Sequence, residues 1–136
     1  MRVCVDTSVW TLALKKGGNR NSPYIRELHE LIKEVRVQML GIIRMELLST
    51  IRNKSQYEIV KRTLSEFPDL QLRTVDYELA AELYITCKNR GLEGSTADFL
   101  ISAAAIRNNM PILTLDPDFA LYAEYIPIKL LQPRGQ

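Results

Sequence analysis

Four acidic side chains lie in this sequence where a parallel α/β fold would bring them together. Asp6 ends the apolar run VCVD, Glu46 lies inside GIIRMELLSTI, Asp98 opens ADFLISAAAI, and Asp116 ends PILTLD. Carboxylates that crowd onto one edge of a sheet repel each other and raise each other's pKa, which costs stability unless cations neutralise them. Carboxylate oxygens are the ligands that Mg²⁺ and Mn²⁺ prefer. The pattern therefore predicts a divalent metal site and a metal-dependent hydrolase.

Three of these acids have an alternative role as helix caps. Asp6 precedes the helical run TSVWTLAL, Asp116 precedes a proline, and Asp98 ends STAD, which has the spacing of a capping box. Glu46 does not fit this explanation, because it stands within the apolar stretch IIRMELL. Capping stays open for the three aspartates, whereas Glu46 is explained better by a polar site.

The elements that would position these acids alternate between strand and helix. Strand-like runs lie at 3–5, 35–39, 70–75, 111–115 and 125–128. Helical periodicity is found at 7–15, 23–34, 41–53, 55–66, 76–90, 97–109 and 117–123. This order predicts one α/β domain over residues 1–136, a three-layer α/β/α sandwich with a central, mostly parallel sheet of about five strands. In such a sheet the strand carboxyl ends and the following helix N-termini share one edge, where the four acids would meet.

Composition narrows the class of protein. Apolar residues make up 46% of the chain and charged residues 25%, which is ordinary for a soluble globular protein. The start MRVCVDTSVW lacks the apolar run of a secretory signal, and no segment approaches the roughly 18 apolar residues of a membrane span. Two cysteines, Cys4 and Cys87, are too few for a disulfide framework. We therefore expect reduced thiols and a cytoplasmic location.

The charge distribution suggests a polyanionic partner. The chain has 18 Lys and Arg against 16 Asp and Glu, for a net charge of +2. Without the four candidate acids the balance is 18 against 12, or +6, so a basic surface would surround one acidic pocket. An average basic surface explains the same numbers equally well. No Ser–His–Asp set, phosphate-binding GxxxxGK loop or GxGxxG run is present, so acyl transfer and nucleotide-cofactor chemistry have no support.

The local sequences around the acids resemble one family in their order. DTSVW after a first strand, then MELLSTIRN, ADFLISAAA and LTLDPDF are similar to the PIN-domain nucleases, and most of all to the VapC-type toxins of toxin–antitoxin pairs. The resemblance extends from Arg2 to about Pro127. It implies a PIN-like fold, a metal-dependent endoribonuclease that uses Mg²⁺ or Mn²⁺, a homodimer, and a cognate antitoxin as partner.

The resemblance also assigns roles by position. The family's metal-site acids, which are also its catalytic residues, fall on Asp6, Glu46, Asp98 and Asp116, and its hydroxyl positions fall on Thr7 or Ser8 and on Thr114. Independently of the resemblance, basic residues cluster around the predicted rim and have two interpretations, a grip on substrate phosphates or an ordinary solvated basic face: Lys15, Lys16, Arg20, Arg44, Arg52 and Lys54.

Two features depart from the family pattern. Thr50 stands where many relatives have glycine, and in the last motif an Asn or a basic residue often fills the slot of Leu115 or Pro117. Asp118 has two interpretations, shared ligation with Asp116 or a favourable charge in the first turn of a helix, of which we favour the second.

Two other function classes remain open. An enzyme that uses Asp6 as a covalent phosphatase nucleophile usually has another acid two residues later, where Ser8 stands. A non-catalytic RNA- or partner-binding module of the same fold would not need four acids, because carboxylates repel a polyanion.

Overall fold

The computed structural model describes residues 1–15 and 21–135. Its described strands are β1 (Val3–Val5), β2 (Val37–Gln38) and β3 (Ile112–Leu113). Its described helices are α1 (Thr7–Leu14), α2 (Pro23–Lys33), α3 (Gly41–Ser49), α4 (Lys54–Leu64), α5 (Thr74–Lys88), α6 (Thr96–Arg107) and α7 (Asp118–Tyr122). The predicted α/β class is confirmed, with a parallel sheet flanked by helices.

The sheet is built around β1. This strand pairs in parallel with β2 on one side and with β3 on the other, giving the order β2-β1-β3. All three β1 residues are fully buried, as expected for a central parallel strand with helices on both faces. Asp6 directly follows the last residue of this strand, so the buried central strand delivers the acid to the carboxyl edge of the sheet.

The predicted count of five strands is wrong, because three strands form in the described residues. The outer positions of the sheet are occupied by single parallel bridges, Met39 with Asp69 and Ile112 with Leu130. The predicted segments 70–75 and 125–128 do not become strands.

Local hydrogen bonds explain both failures. At the first segment, the Arg73 amide donates to the Asp76 carboxylate at 2.8 Å and α5 begins at Thr74, so the chain leaves the sheet. At the second, the Tyr125 and Ile126 amides both donate to the Tyr122 carbonyl, and a proline follows that has no N–H to donate. The backbone reaches β3 only afterwards, at residues 129–131.

Two buried acids outside the candidate site are paired with arginines. Glu27 on α2 is 3% exposed and accepts a 2.8 Å bond from Arg134 Nη2. Asp76 on α5 is 4% exposed and accepts a 2.7 Å bond from Arg107 Nε. Hydrogen bonds to Arg134 lower the pKa of Glu27 from its ordinary value. These pairs bind the C-terminal segment to α2 and join α5 to α6.

The remaining structural expectations concern cysteines and the membrane. Cys4 in β1 and Cys87 in α5 are buried and free, as predicted. Burial, together with the negative charge of Asp6, raises the pKa of the Cys4 thiol to about 12, so it stays protonated. Among the described residues, every helix is too short or too polar to cross a bilayer.

Candidate active site

Asp6 is held at the carboxyl edge of the sheet by three hydrogen bonds to a single oxygen. It caps α1, where its Oδ2 accepts a 3.4 Å bond from the Ser8 amide. The same oxygen accepts 2.8 Å bonds from Ser8 Oγ and from Thr114 Oγ1. The cap proposed as an alternative therefore exists, but it does not use the whole carboxylate. No donor among residues 1–15 and 21–135 bonds Oδ1.

The hydroxyls of Ser8 and Thr114 connect Asp6 to the end of β3. Each donates to Asp6 and accepts from a backbone amide: Ser8 Oγ from Leu115 at 2.9 Å, and Thr114 Oγ1 from Asp116 at 3.0 Å. A hydroxyl has one proton to donate, so both donor functions are used on the carboxylate. Both hydroxyls therefore lie against Asp6, and their part in catalysis stays a prediction.

Asp116 begins the connection from β3 to α7. Its Oδ1 accepts a 2.9 Å bond from the Asp118 amide, which closes a turn over the following proline. Asp118 is exposed at the first position of α7, where its negative charge interacts favourably with the helix dipole. Asp116 thus uses one carboxylate oxygen to close this turn, whereas Pro117 occupies the cap position of α7, which has no side-chain cap bond.

Asp98 lies in the first turn of α6, but it is not the cap of that helix. Ser95 Oγ accepts the Asp98 amide at 3.1 Å and performs the capping role. The Asp98 carboxylate instead accepts a 2.8 Å bond from Tyr122 Oη. Burial raises the pKa of Asp98, and the negative charges of Asp116 and Asp6 raise it further. These three acids therefore share one electrostatic environment.

Tyr122 is a site residue that sequence reasoning missed. It is 1% exposed on α7, and its ring packs between Phe99 and Phe119 at centroid distances of 4.8 and 5.4 Å. Burial and the bond to Asp98 raise the pKa of its hydroxyl, so it remains a proton donor. Gly94 passes so close that an added Cβ would lie 2.8 Å from Tyr122 Cζ. The chain thus reserves this space for the tyrosine.

Glu46 joins the site from α3 through a different contact. Its Oε1 accepts a 2.7 Å bond from Thr7 Oγ1, and Thr7 directly follows Asp6. The glutamate is half-buried, and its position about one turn into α3 agrees with the sequence prediction. Of the two hydroxyls considered near Asp6, Ser8 therefore serves Asp6 and Thr7 serves Glu46.

A family model described as PIN domain matches residues 3–125. The chain belongs to the PIN-domain family. The predicted resemblance is confirmed, and the motifs that carried it contain the four acids described above.

Solved structures of similar fold come from toxin–antitoxin complexes. FitAcB from Neisseria gonorrhoeae matches at 21% identity and TM-score 0.77, over 98% of this chain and 99% of that one. VapBC2 from Rickettsia felis, bound to a DNA fragment from its promoter, matches at 21% identity and TM-score 0.77, over 96% of this chain and 98% of that one. VapBC-5 from Mycobacterium tuberculosis matches at 19% identity and TM-score 0.69, over 96% of this chain and 98% of that one. The comparison with curated proteins gave no significant match.

The donors of this PIN domain suit a hard divalent cation. All the acids present oxygen, and no ion pair within the described residues includes Asp6, Glu46, Asp98 or Asp116. The described residues contain no group of three His, Cys, Asp or Glu side chains already placed to hold an ion. The donor chemistry therefore fits Mg²⁺ or Mn²⁺, and binding would have to draw at least one carboxylate inwards.

Arg44 does not belong to the basic rim that the sequence predicts for this PIN domain. Its guanidinium bonds Asp69 Oδ1 at 2.9 Å, the Leu64 carbonyl at 2.9 Å and the Phe67 carbonyl, so its three nitrogens are used within the fold. It fastens α3 to the end of α4 and is not available to grip phosphate. Lys16 and Arg20, from the same prediction, lie outside the described residues.

Proposed function

We propose that this chain is a metal-dependent endoribonuclease and the toxin of a toxin–antitoxin pair. One observation carries the proposal: Asp6 is as buried as Glu27 and Asp76, at 5% exposure, yet hydroxyls and an amide are its only partners among the described residues. Hydroxyls satisfy hydrogen bonds but leave the negative charge in place. A carboxylate cluster in that state is completed by a cation.

In this proposal Asp6, Glu46, Asp98 and Asp116 hold Mg²⁺ or Mn²⁺ and form the catalytic centre of a nuclease domain over residues 1–136. Bound divalent ions supply an activated water and stabilise the leaving 3′ oxygen of the RNA phosphodiester. The protein's own part is positioning. Ser8 and Thr114 fix one oxygen of Asp6 and leave the other for a ligand.

Two of the other three acids are oriented in the same manner, each by one hydroxyl. Thr7 holds Oε1 of Glu46, and Tyr122 holds Oδ2 of Asp98. Because each donor is neutral, the four carboxylates keep their combined negative charge for the metal. These bonds limit the reorganisation on metal binding to the inward movement of a carboxylate.

The regulatory part of the proposal draws on the structural neighbours, which are complexes of toxins with antitoxins. By analogy, a cognate antitoxin inhibits this chain in the cytoplasm. We also propose a homodimer. Exposed apolar side chains on α5, including Tyr77 and Ile85, line an open groove of about 460 Å³ between α3, α5 and α6 that a second copy would cover.

A cleavage assay tests the enzymatic proposal. The purified chain is incubated with a mixed RNA pool and with the same sequences as DNA, in Mg²⁺, in Mn²⁺ or in EDTA. We expect RNA cleavage in either metal and none in EDTA. Asp6→Asn is the matched inactive control. Intact RNA under all conditions, together with tight RNA binding, would instead assign the chain to the non-catalytic binding class.

A further inference from the structure

A second, smaller cavity adjoins the acids on the side away from α6. It has a volume of about 200 Å³, and both Thr114 and Asp116 line it together with Tyr24, Ala120, Leu131 and Gln132. Pockets for drug-sized ligands are usually larger, about 300–1,000 Å³. The cavity is therefore sized for one flat ring system beside the candidate active site.

The fold holds the polar wall of this cavity in place from both sides. Just before Gln132, the Leu131 amide donates to the Ile112 carbonyl of β3 at 2.8 Å. Just after Pro133, the Arg134 amide donates to Glu27 Oε1 at 2.7 Å. Gln132 thus lies on backbone that is anchored to the sheet and to α2, so its carboxamide projects from a defined position.

Tyr24 on the opposite wall is positioned by a helix start. It is the second residue of α2, and its amide donates to the Ser22 cap at 3.2 Å. Within the described residues, neither the Tyr24 hydroxyl nor the Gln132 carboxamide makes a hydrogen bond. The cavity therefore offers an aromatic side chain, apolar contacts from Ala120 and Leu131, and two free polar groups.

The charge of the cavity indicates what it accepts. Asp116 lines it, and Asp6 lies one hydrogen-bonded hydroxyl away through Thr114, so an anionic group such as a phosphate is repelled. A neutral ring with a hydrogen-bonding edge is not. Single-stranded RNA is recognised by bases that leave the stack, lie against aromatic side chains and are read along their edges by amides.

We infer that this cavity is a nucleobase subsite, in which Gln132 reads the base edge of the nucleotide next to the cleaved phosphate and Tyr24 supports the ring. The inference rests on the proposed nuclease function and specifies its substrate: a single-stranded segment with a preferred base at one fixed position. Gln132 and Tyr24 are specificity residues, separate from the acids.

Mapping of cleavage sites tests the subsite. A randomised single-stranded RNA library is cleaved in Mg²⁺ and the ends are sequenced for the unaltered chain, Gln132→Leu, Tyr24→Leu and Tyr24→Phe. The control is Gln71→Leu, which changes an exposed glutamine remote from the cavity. We expect a base preference at one position, lost in Gln132→Leu with about a tenfold lower kcat/KM on the preferred RNA, mainly through KM. Gln71→Leu keeps the preference.

A binding experiment separates this inference from the nuclease proposal. Adenosine, guanosine, cytidine and uridine are titrated into the ¹⁵N-labelled chain, without metal, while the Gln132 side-chain amide is followed by NMR. We expect shifts at Gln132 and Leu131 that Tyr24→Leu weakens and Tyr24→Phe largely retains. An RNA-cleaving chain whose Gln132→Leu variant keeps the same sequence profile, with no nucleoside shifts, overturns the subsite alone. A chain that shifts with nucleosides but cuts no RNA keeps the subsite and loses the nuclease proposal.

Discussion

Asp6 and Asp76 are the same residue type at nearly the same burial, 5% and 4% exposed, yet their surroundings differ in charge. Asp76 at the start of α5 faces Arg107, which neutralises it within the fold. Asp6 at the end of β1 faces Ser8 and Thr114, which bond it without neutralising it. Burial therefore does not distinguish these two acids. The charge of the hydrogen-bonding partner does, and this difference supports the role proposed for Asp6.

The largest expected effect comes from removing the unneutralised charge. Asp6→Asn keeps the shape and an oxygen acceptor for the hydroxyls, so the metal-free protein should be as stable as before or more so. Activity should fall about a thousandfold, and most of the rise in Tm with Mg²⁺ or Mn²⁺ should vanish. Kinetics and thermal melts with and without metal measure both.

Asp76→Asn is the matched control for that substitution. It breaks the pair with Arg107, so it should lower the Tm while leaving the metal-induced shift and the activity of the folded protein intact. A metal-induced shift that survives in Asp6→Asn, or disappears in Asp76→Asn, would remove the distinction between the two acids.

Asp98→Asn should have the next largest effect, about a hundredfold lower activity, because one ligand charge is lost from a positioned group. Its pKa in the folded protein is raised above the ordinary value of 3.8. The ionised form is therefore disfavoured by folding, and stability is lost as the pH rises through the folded-state pKa. Over that pH range the Asp98→Asn variant should become more stable relative to the unaltered chain, both without metal. Urea unfolding at a series of pH values measures this difference.

Glu27→Gln should show the opposite dependence on pH. The Glu27 pKa is lowered below its ordinary value of 4.5, so the stability from its pair with Arg134 is present above pH 4.5 and is lost as the pH falls through the lowered pKa. At neutral pH we expect a cost of about 2 kcal/mol, as for hydrogen bonds to charged groups. An equal cost at pH 3 and pH 7 in the same urea experiment would contradict this account.

The smallest of these effects should follow from Tyr122→Phe, which removes only the hydroxyl that orients Asp98. We expect about a tenfold loss of activity, of the size caused by one hydrogen bond, and weaker binding of Mn²⁺ measured by calorimetry. Tyr125→Phe changes an exposed tyrosine on the same segment and should alter neither quantity. Equal affinities for Mn²⁺ in the two variants would leave Tyr122 with a packing role alone.

The part of the site that the sequence predicts is the part set by topology. Asp6 and Asp116 end predicted strands, and the strand ends of a parallel sheet share one edge whatever the details of packing. The bond from Tyr122 to Asp98 was not predictable in this way. It depends on how α7, only five residues long, is turned towards α6, and on the space left by Gly94.

The wrong predictions have one origin in competing hydrogen bonds, some to residues distant along the chain and some local. Arg44 has a side chain suited to bind phosphate, but in the folded chain its guanidinium donates to the carbonyls of Leu64 and Phe67, at and just after the end of α4. The predicted outer strands have strand-forming residues, but the bond between Arg73 and Asp76 directs one of them into a helix. Side-chain propensity cannot anticipate such competition.

The bond between Thr114 and Asp6 joins positions 108 residues apart, and this separation governs when the site can exist. Synthesis delivers Asp6 before the other three acids, whereas Thr114 emerges 108 residues later and Asp116 follows it. Before then β1 lacks one neighbouring strand and the fourth acid is missing. For the proposed ribonuclease, the four acids can therefore meet only after the part of its messenger RNA that encodes β3 and Asp116 has been translated.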